Sequence, residues 1–316
     1  MALIEKHIVP KGTKSQYLNT YAPLVFEYLS SKSKTKLALK EGTLLVNGDR
    51  VLEDYILKAG DRLELKSIQS KKPKTKIKRF DLEVEVVFED EHIAAVNKPS
   101  GIPVNGNQLK TLENCLGGNI QKSKEKDALD YPAPLHRLDE PTSGIVLVAK
   151  THRAQVSMGK LFESKGIQKR YKAIVIGELK GEGEVDTPIA NKPSKTLYKV
   201  INSIPSKVYD AVTLMDLYPV TGRTHQLRIH MSSLQHPIVG DKYYSEGFKV
   251  FDEKGLFLCS DQVIFMHPIT KEKIEINIEL PNKFTRYMGR ESKVQKSNPK
   301  RNFTRNKNSK PRRNHR

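Results

Sequence analysis

Residues 135–149 read LHRLDEPTSGIVLVA, a polar turn that leads directly into an apolar run. The apolar run Ile145–Ala149 predicts a buried strand. The Pro, Thr, Ser and Gly residues before it predict a tight turn held against the core. Asp139 lies on this turn, beside the basic residues His136 and Arg137. Loops braced by a rigid scaffold commonly carry reactive groups, so Asp139 is the first candidate for chemistry.

The chain has 316 residues and a formal net charge of +19, most of it in two segments. Residues 69–80 carry six Lys or Arg and no acid, and residues 292–316 carry ten and no acid. One basic run is often only a solvated segment, whereas two acid-free runs favour a polyanionic partner, most commonly nucleic acid. Neither run is amphipathic, which argues against a membrane surface as the partner.

Composition excludes several other classes of protein. No stretch approaches the roughly 20 apolar residues that a membrane span needs, and residues 1–7 lack the apolar region of a signal peptide. The two cysteines, Cys115 and Cys259, are far apart and have no Cys or His neighbours at zinc-ligand spacing. We therefore expect a cytoplasmic protein of two domains with reduced thiols and no metal site.

A leader is predicted over residues 1–15 and a small domain over 16–68. Two helices are predicted at 23–29 and 34–42, the second ending at Gly42, and Asn47-Gly48 predicts a hairpin turn between short strands. Strands with VNG at 46–48 and KAGDRLEL at 58–65 follow these helices. This arrangement resembles the S4 RNA-binding domain.

A basic linker at 69–80 precedes a larger domain at 81–288, and a disordered basic tail is predicted at 289–316. Strands of the larger domain are predicted at 82–88, 92–97, 145–149, 171–176, 208–217, 225–230, 256–265 and 273–279. A helix is predicted at 151–165, with Thr151 as its N-terminal cap. Many strands with few helices and no regular alternation predict an α+β fold on a mixed, mostly antiparallel sheet.

Four segments of the larger domain together resemble the RluA-type pseudouridine synthase family. They read NKPSGIPV at 97–104, HRLDEPTSG at 136–144, KRY at 169–171 and TGRTHQLRIH at 221–230, and HPIVGD follows at 236–241. Their order and spacing match the family, in which an S4-like unit often precedes the catalytic domain. The resemblance implies an enzyme that isomerises uridine to pseudouridine in ribosomal or transfer RNA. We expect it to act as a monomer and without a cofactor.

By this resemblance, Asp139 is the catalytic aspartate, Arg228 pairs with its carboxylate, and Tyr171 stacks on the extruded uracil. An arginine suits this role because it stays charged and can hold a carboxylate through two hydrogen bonds. On the strand predicted at 225–230, Arg228 would share a face with Gln226 and His230. The carboxylate could attack the sugar or the base, or remove a sugar proton, and the sequence leaves these routes open.

The same resemblance predicts RNA contacts around the aspartate, whereas Lys98 and Pro99 are expected to shape the loop beneath the site. The predicted RNA-binding residues are His136, Arg137, Thr142, Arg223, His225 and Gln226.

Three alternative functions fit the sequence less well. A non-catalytic S4-type RNA-binding or ribosome-assembly protein would keep the basic runs but would not need Asp139, Tyr171 and Arg228 together. An aspartate phosphohydrolase carries a second Asp two residues after the first, where this chain has Pro141. A zinc-dependent deaminase needs closely spaced His and Cys ligands, which the sequence lacks.

Overall fold

The computed structural model describes residues 3–26, 28–29, 31–66, 79–248 and 255–292. Within these ranges residues 3–66 form the N-terminal unit and residues 79–292 the C-terminal unit, each with its own sheet and hydrophobic core. Most of the basic linker predicted at 69–80 lies outside the described residues, and so does the predicted tail after Ser292. No described helix is long and apolar enough to cross a membrane.

The N-terminal unit is an antiparallel sheet with strand order β1-β4-β2-β3 and two helices. Its elements are β1 (Leu3–Ile8), α1 (Leu18–Val25), α2 (Lys32–Glu41), β2 (Leu44–Val46), β3 (Asp49–Arg50) and β4 (Arg62–Lys66). Gly42 ends α2 in the left-handed conformation, and Asn47 and Gly48 both have positive φ between β2 and β3. The predicted end of the second helix and the predicted hairpin turn are therefore confirmed. Positive φ at the two central residues of the turn matches the twist of a hairpin.

Two predictions for this unit were wrong. The predicted leader contains β1, which pairs along its length with β4, so the sheet begins well before residue 16. The first helix begins at Leu18 rather than at Pro23, because its buried residues Leu18, Tyr21 and Ala22 precede the proline.

The C-terminal unit is a mixed sheet flanked by helices, which confirms the predicted α+β class. Its strands are β5 (Glu85–Glu89), β6 (Ile93–Lys98), β7 (Ala128–Pro134), β8 (Ser143–Thr151), β9 (Gln168–Ile176), β10 (Glu182–Val185), β11 (Thr196–Ser206), β12 (Asp210–Pro219), β13 (Leu258–Met266) and β14 (Lys273–Asn277). Its helices are α3 (Leu112–Asn119), α4 (His152–Glu163), α5 (Gln226–Ser233) and α6 (Asn282–Ser292).

Strand order along the sheet is β10-β11-β12-β9-β13-β8-β6-β5, with β7 paired to β8 and β14 paired to β13. The described strands pair antiparallel except for β8 with β13, as the sequence predicted. Two corrections concern the helices. Residues 289–292 of the predicted tail belong to α6, and the strand predicted at 225–230 is replaced by α5.

Strand β8 explains the apolar run after Asp139, because all nine of its residues are buried. Val146 and Val148 point into the core on one face of the sheet, and Ile145 and Leu147 into the core on the other. Burial of each such side chain contributes roughly 1.5–3 kcal/mol. At the end of β8, Thr151 caps α4 by accepting a hydrogen bond from the Ala154 N–H, as predicted. The turn that carries Asp139 is thus fixed to a central strand.

Candidate active site

The Asp139 turn is closed by its own backbone and held by the loop that follows β6. The Thr142 N–H donates to the Asp139 carbonyl at 3.0 Å. The next carbonyl, that of Glu140, accepts from the Gly101 N–H at 2.8 Å, and the Ser100 hydroxyl donates to the Pro141 carbonyl at 2.7 Å. Because three successive carbonyl groups accept hydrogen bonds, the backbone of the turn is fixed. The position of the Asp139 side chain is restricted as a result.

A buried lysine lies beneath this turn. The Lys98 ammonium donates to the carbonyls of Pro99 and Ile102 at 2.9 and 2.7 Å, and to that of Glu140 at 3.2 Å. Burial lowers the pKa of Lys98 to about 8, against the opposing charges of Glu140 and Asp139. All three donor positions of the ammonium are occupied, which supports the predicted structural role of Lys98.

Gly144 brings the turn against β13. Its φ of +116° is unfavourable for other residues, and a Cβ placed there would lie 2.2 Å from the Ser260 carbonyl oxygen. Because the obstructing atom is backbone, only glycine allows β8 and β13 to approach at this point.

The second part of the site is the turn that begins α5. His225 precedes the helix with φ of +55°, and the side-chain oxygen Oε1 of Gln226 accepts from the Arg223 N–H and the Thr221 hydroxyl. The side-chain nitrogen Nε2 of Gln226 donates to the Lys195 carbonyl and the Thr196 hydroxyl. Gln226 is only 4% exposed. Its side chain therefore holds this turn together, and its predicted RNA contact stays a prediction.

Arg228 lies in α5 and is 2% exposed. Its Nε and Nη2 atoms donate to the two carboxylate oxygens of Asp241 at 2.7 and 2.9 Å. A single contact reaches Asp139, from Nη1 to Oδ2 at 3.5 Å. The predicted pairing with Asp139 is therefore present, but the two-point geometry expected for it is made with Asp241 instead.

Asp241 is fully buried and is the main functional residue that the sequence analysis did not select. Besides Arg228, it accepts the backbone N–H groups of Tyr243 and Tyr244 at 2.9 and 3.1 Å. Burial alone would raise the pKa of Asp241, but the Arg228 and backbone hydrogen bonds hold it below its ordinary value. The only sequence signal for this residue was its place at the end of the HPIVGD segment.

Aromatic rings cover the exposed side of this ion pair. The Arg228 guanidinium lies 5.5 and 5.1 Å from the ring centres of Tyr243 and Tyr244. The Tyr244 hydroxyl is 2.9 Å from His225 Nδ1, and His225 Nε2 is 3.8 Å from Asp139 Oδ1. Arg228 and His225 thus approach different oxygens of the Asp139 carboxylate, and neither contact is short.

Tyr171, on β9, lines the same cavity as Asp139 and Arg228. Burial, aided by the nearby charge of Asp139, raises the pKa of Tyr171 to about 12. The phenol therefore stays protonated at neutral pH, which leaves a neutral ring and a hydroxyl at the cavity wall. The cavity has a volume of about 380 Å³, within the range of sites that enclose one small ligand.

Comparisons with known proteins identify the family of this chain. The family model described as RNA pseudouridylate synthase matches residues 92–233. The dual-specificity RNA pseudouridine synthase RluA of Vibrio parahaemolyticus is 38% identical over 203 residues, which cover 58% of this chain and 78% of the relative. Ribosomal large subunit pseudouridine synthase C of Vibrio vulnificus is 33% identical over 275 residues, covering 78% of this chain and 84% of the relative.

The chain belongs to the RluA-type RNA pseudouridine synthase family. The synthase is accordingly an isomerase that acts on RNA. Two solved structures share its fold: human RNA pseudouridylate synthase domain containing 4 and human RNA pseudouridylate synthase domain containing 1. The first has a TM-score of 0.52 at 23% identity, covering 65% of this chain and 92% of that chain. The second has a TM-score of 0.51 at 24% identity, covering 66% and 86%.

The fold of the synthase brings together every site residue predicted from its sequence. Three separate segments meet around one cavity, and the predicted residues among those that line it are His136, Arg137, Asp139, Thr142, Tyr171, Arg223, His225, Gln226 and Arg228. Phe162 and Lys169 also line the cavity and were not predicted as site residues. In the described ranges no group of three or more His, Cys, Asp or Glu side chains is placed to hold a metal ion.

The side chains of the synthase that are predicted to contact RNA differ in exposure and in whether their polar atoms already have hydrogen-bond partners. Arg137 is exposed, whereas the Thr142 hydroxyl is buried and has no hydrogen-bond partner among the described residues. His136 Nε2 accepts the Leu147 N–H at 3.0 Å, and burial lowers the pKa of His136 to about 3. His136 is therefore neutral at physiological pH and adds no positive charge to the cavity.

Proposed function

We propose that the synthase isomerises uridines in ribosomal or transfer RNA, with Asp139 as the catalytic carboxylate. The observation that carries this proposal is the Asp139–Arg228 approach of 3.5 Å inside a cavity that Tyr171 also lines. A relative named for the large ribosomal subunit supports ribosomal RNA as a substrate, a relative named for dual specificity supports more than one kind of RNA, and transfer RNA follows from the family resemblance of the sequence.

The reaction requires no redox change. The N1–C1′ bond of uridine breaks, a C5–C1′ bond forms, C5 loses its hydrogen and N1 gains one. Asp139 could attack the sugar or the base, or remove a sugar proton, and every one of these routes requires the ionised carboxylate. No small-molecule cofactor enters this balance.

Arg228 places a positive charge beside Asp139 without covering its carboxylate. A guanidinium that bound Asp139 through two short hydrogen bonds would occupy both oxygens and weaken the carboxylate as a nucleophile or base. Asp241 already takes two of the donors of Arg228, so Asp139 receives one contact at 3.5 Å. The positive charge remains close, while the carboxylate lone pairs stay available to the substrate.

Tyr171 provides a wall for the extruded base. An enzyme that modifies a base within folded RNA must draw it out of the stack and hold it against aromatic or apolar side chains. The protonated phenol can also donate a hydrogen bond to a uracil carbonyl, since burial raises the pKa of Tyr171 to about 12.

RNA binding is assigned to the cavity rim and to the basic segments. Arg137, Thr142, Arg223 and His225 contact the displaced nucleotide or its backbone, and His136 contributes a neutral ring. The basic runs at 69–80 and 292–316 supply sequence-independent attraction to phosphates. We also propose that the N-terminal unit, residues 3–66, acts as an S4-like RNA-binding unit, and that the enzyme is a cytoplasmic monomer.

The test has two arms. Ribosomal and transfer RNA from cells with and without the gene are digested, and pseudouridine is mapped by mass spectrometry. Purified wild-type enzyme should restore the missing modification, whereas Asp139→Asn should not, although it binds the same RNA within about twofold because the lost charge only repels phosphate. Glu140→Gln, which neutralises the adjacent exposed acid, is the matched control and should stay active. Pseudouridine formed by Asp139→Asn would overturn the assignment.

A further inference from the structure

The catalytic cavity shares a wall with a second groove of about 630 Å³. The wall is formed by the residues that line both spaces, which are Phe162, Lys169, Pro219, Thr221, Gly222 and Arg223. The second groove begins directly beyond this wall, so a nucleotide adjacent to a uridine in the cavity can reach it.

The cations at this wall contrast with Arg228, because they lack acidic partners. Lys169 places its ammonium 5.6 Å from the centre of the Phe162 ring, and it has no carboxylate within ion-pair distance among the described residues. Arg223 donates through Nε to the Pro193 carbonyl at 3.1 Å and likewise pairs with no described carboxylate. Partial burial of an ammonium without a counterion costs free energy, so binding of an anion beside it is favourable.

The far side of the second groove is apolar and open. Leu197 on β11 is 39% exposed and pairs across the sheet with Tyr218 on β12, and Val220, just after β12, is 36% exposed. Glu163 is the one acid among the residues that line the groove, and Lys165 stands beside it. Cations on one wall and an aromatic and aliphatic surface on the other are the pattern of a nucleotide site, in which phosphate and base require different surroundings.

We infer that the second groove holds the base of a nucleotide adjacent to the target uridine, and that Lys169 and Arg223 bind the phosphodiester joining the two. This inference rests on the proposed function, since it requires the uridine to occupy the first cavity. It gives the synthase a means of selecting RNA by the sequence or flexibility next to the modified site. The flanking base stacks against Tyr218 and the aliphatic side chains of Leu197 and Val220.

The test places a negative charge in the groove without altering the core. Leu197→Asp is compared with Ile201→Asp, since both are exposed aliphatic residues of β11 and Ile201 does not line the groove. The substrates are host large-subunit ribosomal RNA and transfer RNA, transcribed separately with uridine tritiated at C5. Because C5 loses its hydrogen, released tritium reports turnover. Circular dichroism establishes that both variants fold.

Leu197→Asp should raise KM by about tenfold and leave kcat nearly unchanged, as expected for the loss of one stacked base. Ile201→Asp should match the wild type. Equal kinetics for the two variants, with active wild-type enzyme, would overturn the groove assignment alone. Absence of tritium release from the wild type on both RNAs would instead overturn the proposed function, and the groove assignment with it.

Discussion

Two sets of buried or half-buried cations surround the Asp139 cavity, and they differ in what neutralises them. Arg228 and Lys98 are satisfied within the protein, Arg228 by Asp241 and Lys98 by three backbone carbonyls. Lys169 and Arg223 have no acidic partner in the described part of the chain. We propose that this difference separates two tasks: the paired cations position Asp139 as the catalytic carboxylate, and the unpaired ones bind the phosphates of RNA.

The largest effect is expected when the cations that are paired within the protein lose a partner. Asp241→Asn removes the charge that holds Arg228, so the guanidinium is free to close on Asp139. We expect kcat to fall about a hundredfold with little change in KM, since a misplacement of about 1 Å at a catalytic group has an effect of this size. Steady-state tritium release measures both constants, at a temperature where circular dichroism shows the variant folded.

Asp210→Asn is the control for that substitution, because Asp210 is exposed and its positive φ suits asparagine. If Asp241→Asn retained wild-type kcat, Asp241 would have no part in positioning Arg228.

Local signals in the sequence predicted much of the scaffold of this site. The apolar run of β8, the Thr151 cap and the Asn47-Gly48 turn each depend on neighbouring residues, so short-range chemistry is enough to recognise them. The first strand could not be found in this way, because β1 gains its partner only from β4, more than 50 residues later.

The error at α5 has a physical cause. Leu227 and Ile229 alternate with polar residues, which is a strand-like pattern over five positions. Gln226, Arg228 and His230 are nevertheless buried, because each finds hydrogen-bond partners in distant segments. Periodicity assumes that polar residues face solvent, and a buried polar network breaks that assumption. For the same reason the sequence analysis did not select Asp241, whose role depends on its contact with Arg228.

Removing the cation beneath the Asp139 turn should affect stability next. Lys98→Met keeps an apolar stem but leaves three carbonyls without their donor. The free energy of unfolding should fall by about 2–3 kcal/mol, since unsatisfied buried acceptors are costly. Urea denaturation compares it with Lys122→Met at an exposed lysine, which should be neutral. Equal midpoints for the two variants would argue against Lys98 as the support of the turn.

The cations without acidic partners should affect how activity depends on salt concentration rather than the rate of the chemical step. Lys169→Met removes one proposed phosphate contact, so the slope of log(kcat/KM) against log salt should decrease by about 0.7–0.9. Lys180→Met, at an exposed lysine paired with Glu178 outside both cavities, is the matched control. An unchanged slope for Lys169→Met would remove Lys169 from the RNA interface.

The effect that is smallest at neutral pH concerns acid stability. Burial lowers the pKa of His136 to about 3, from 6.5 for a free histidine. As the pH falls, His136 is therefore protonated in the unfolded chain before it is protonated in the folded protein. His136 does not change the free energy of unfolding above pH 6.5, and it lowers that free energy progressively as the pH falls toward 3. His136→Gln, whose amide oxygen can accept the Leu147 N–H, should flatten this part of the stability curve. Identical acid unfolding of both proteins would contradict the lowered pKa.

The most direct test of the division between the two sets of cations is the single-turnover rate of tritium release at saturating enzyme, where binding no longer limits the reaction. Asp241→Asn and Lys169→Met are compared on the same tritiated RNA. We predict a rate about a hundredfold below wild type for Asp241→Asn and a wild-type rate for Lys169→Met. Equal slowing of both variants, or a wild-type rate for Asp241→Asn, would contradict the separation of positioning from RNA binding.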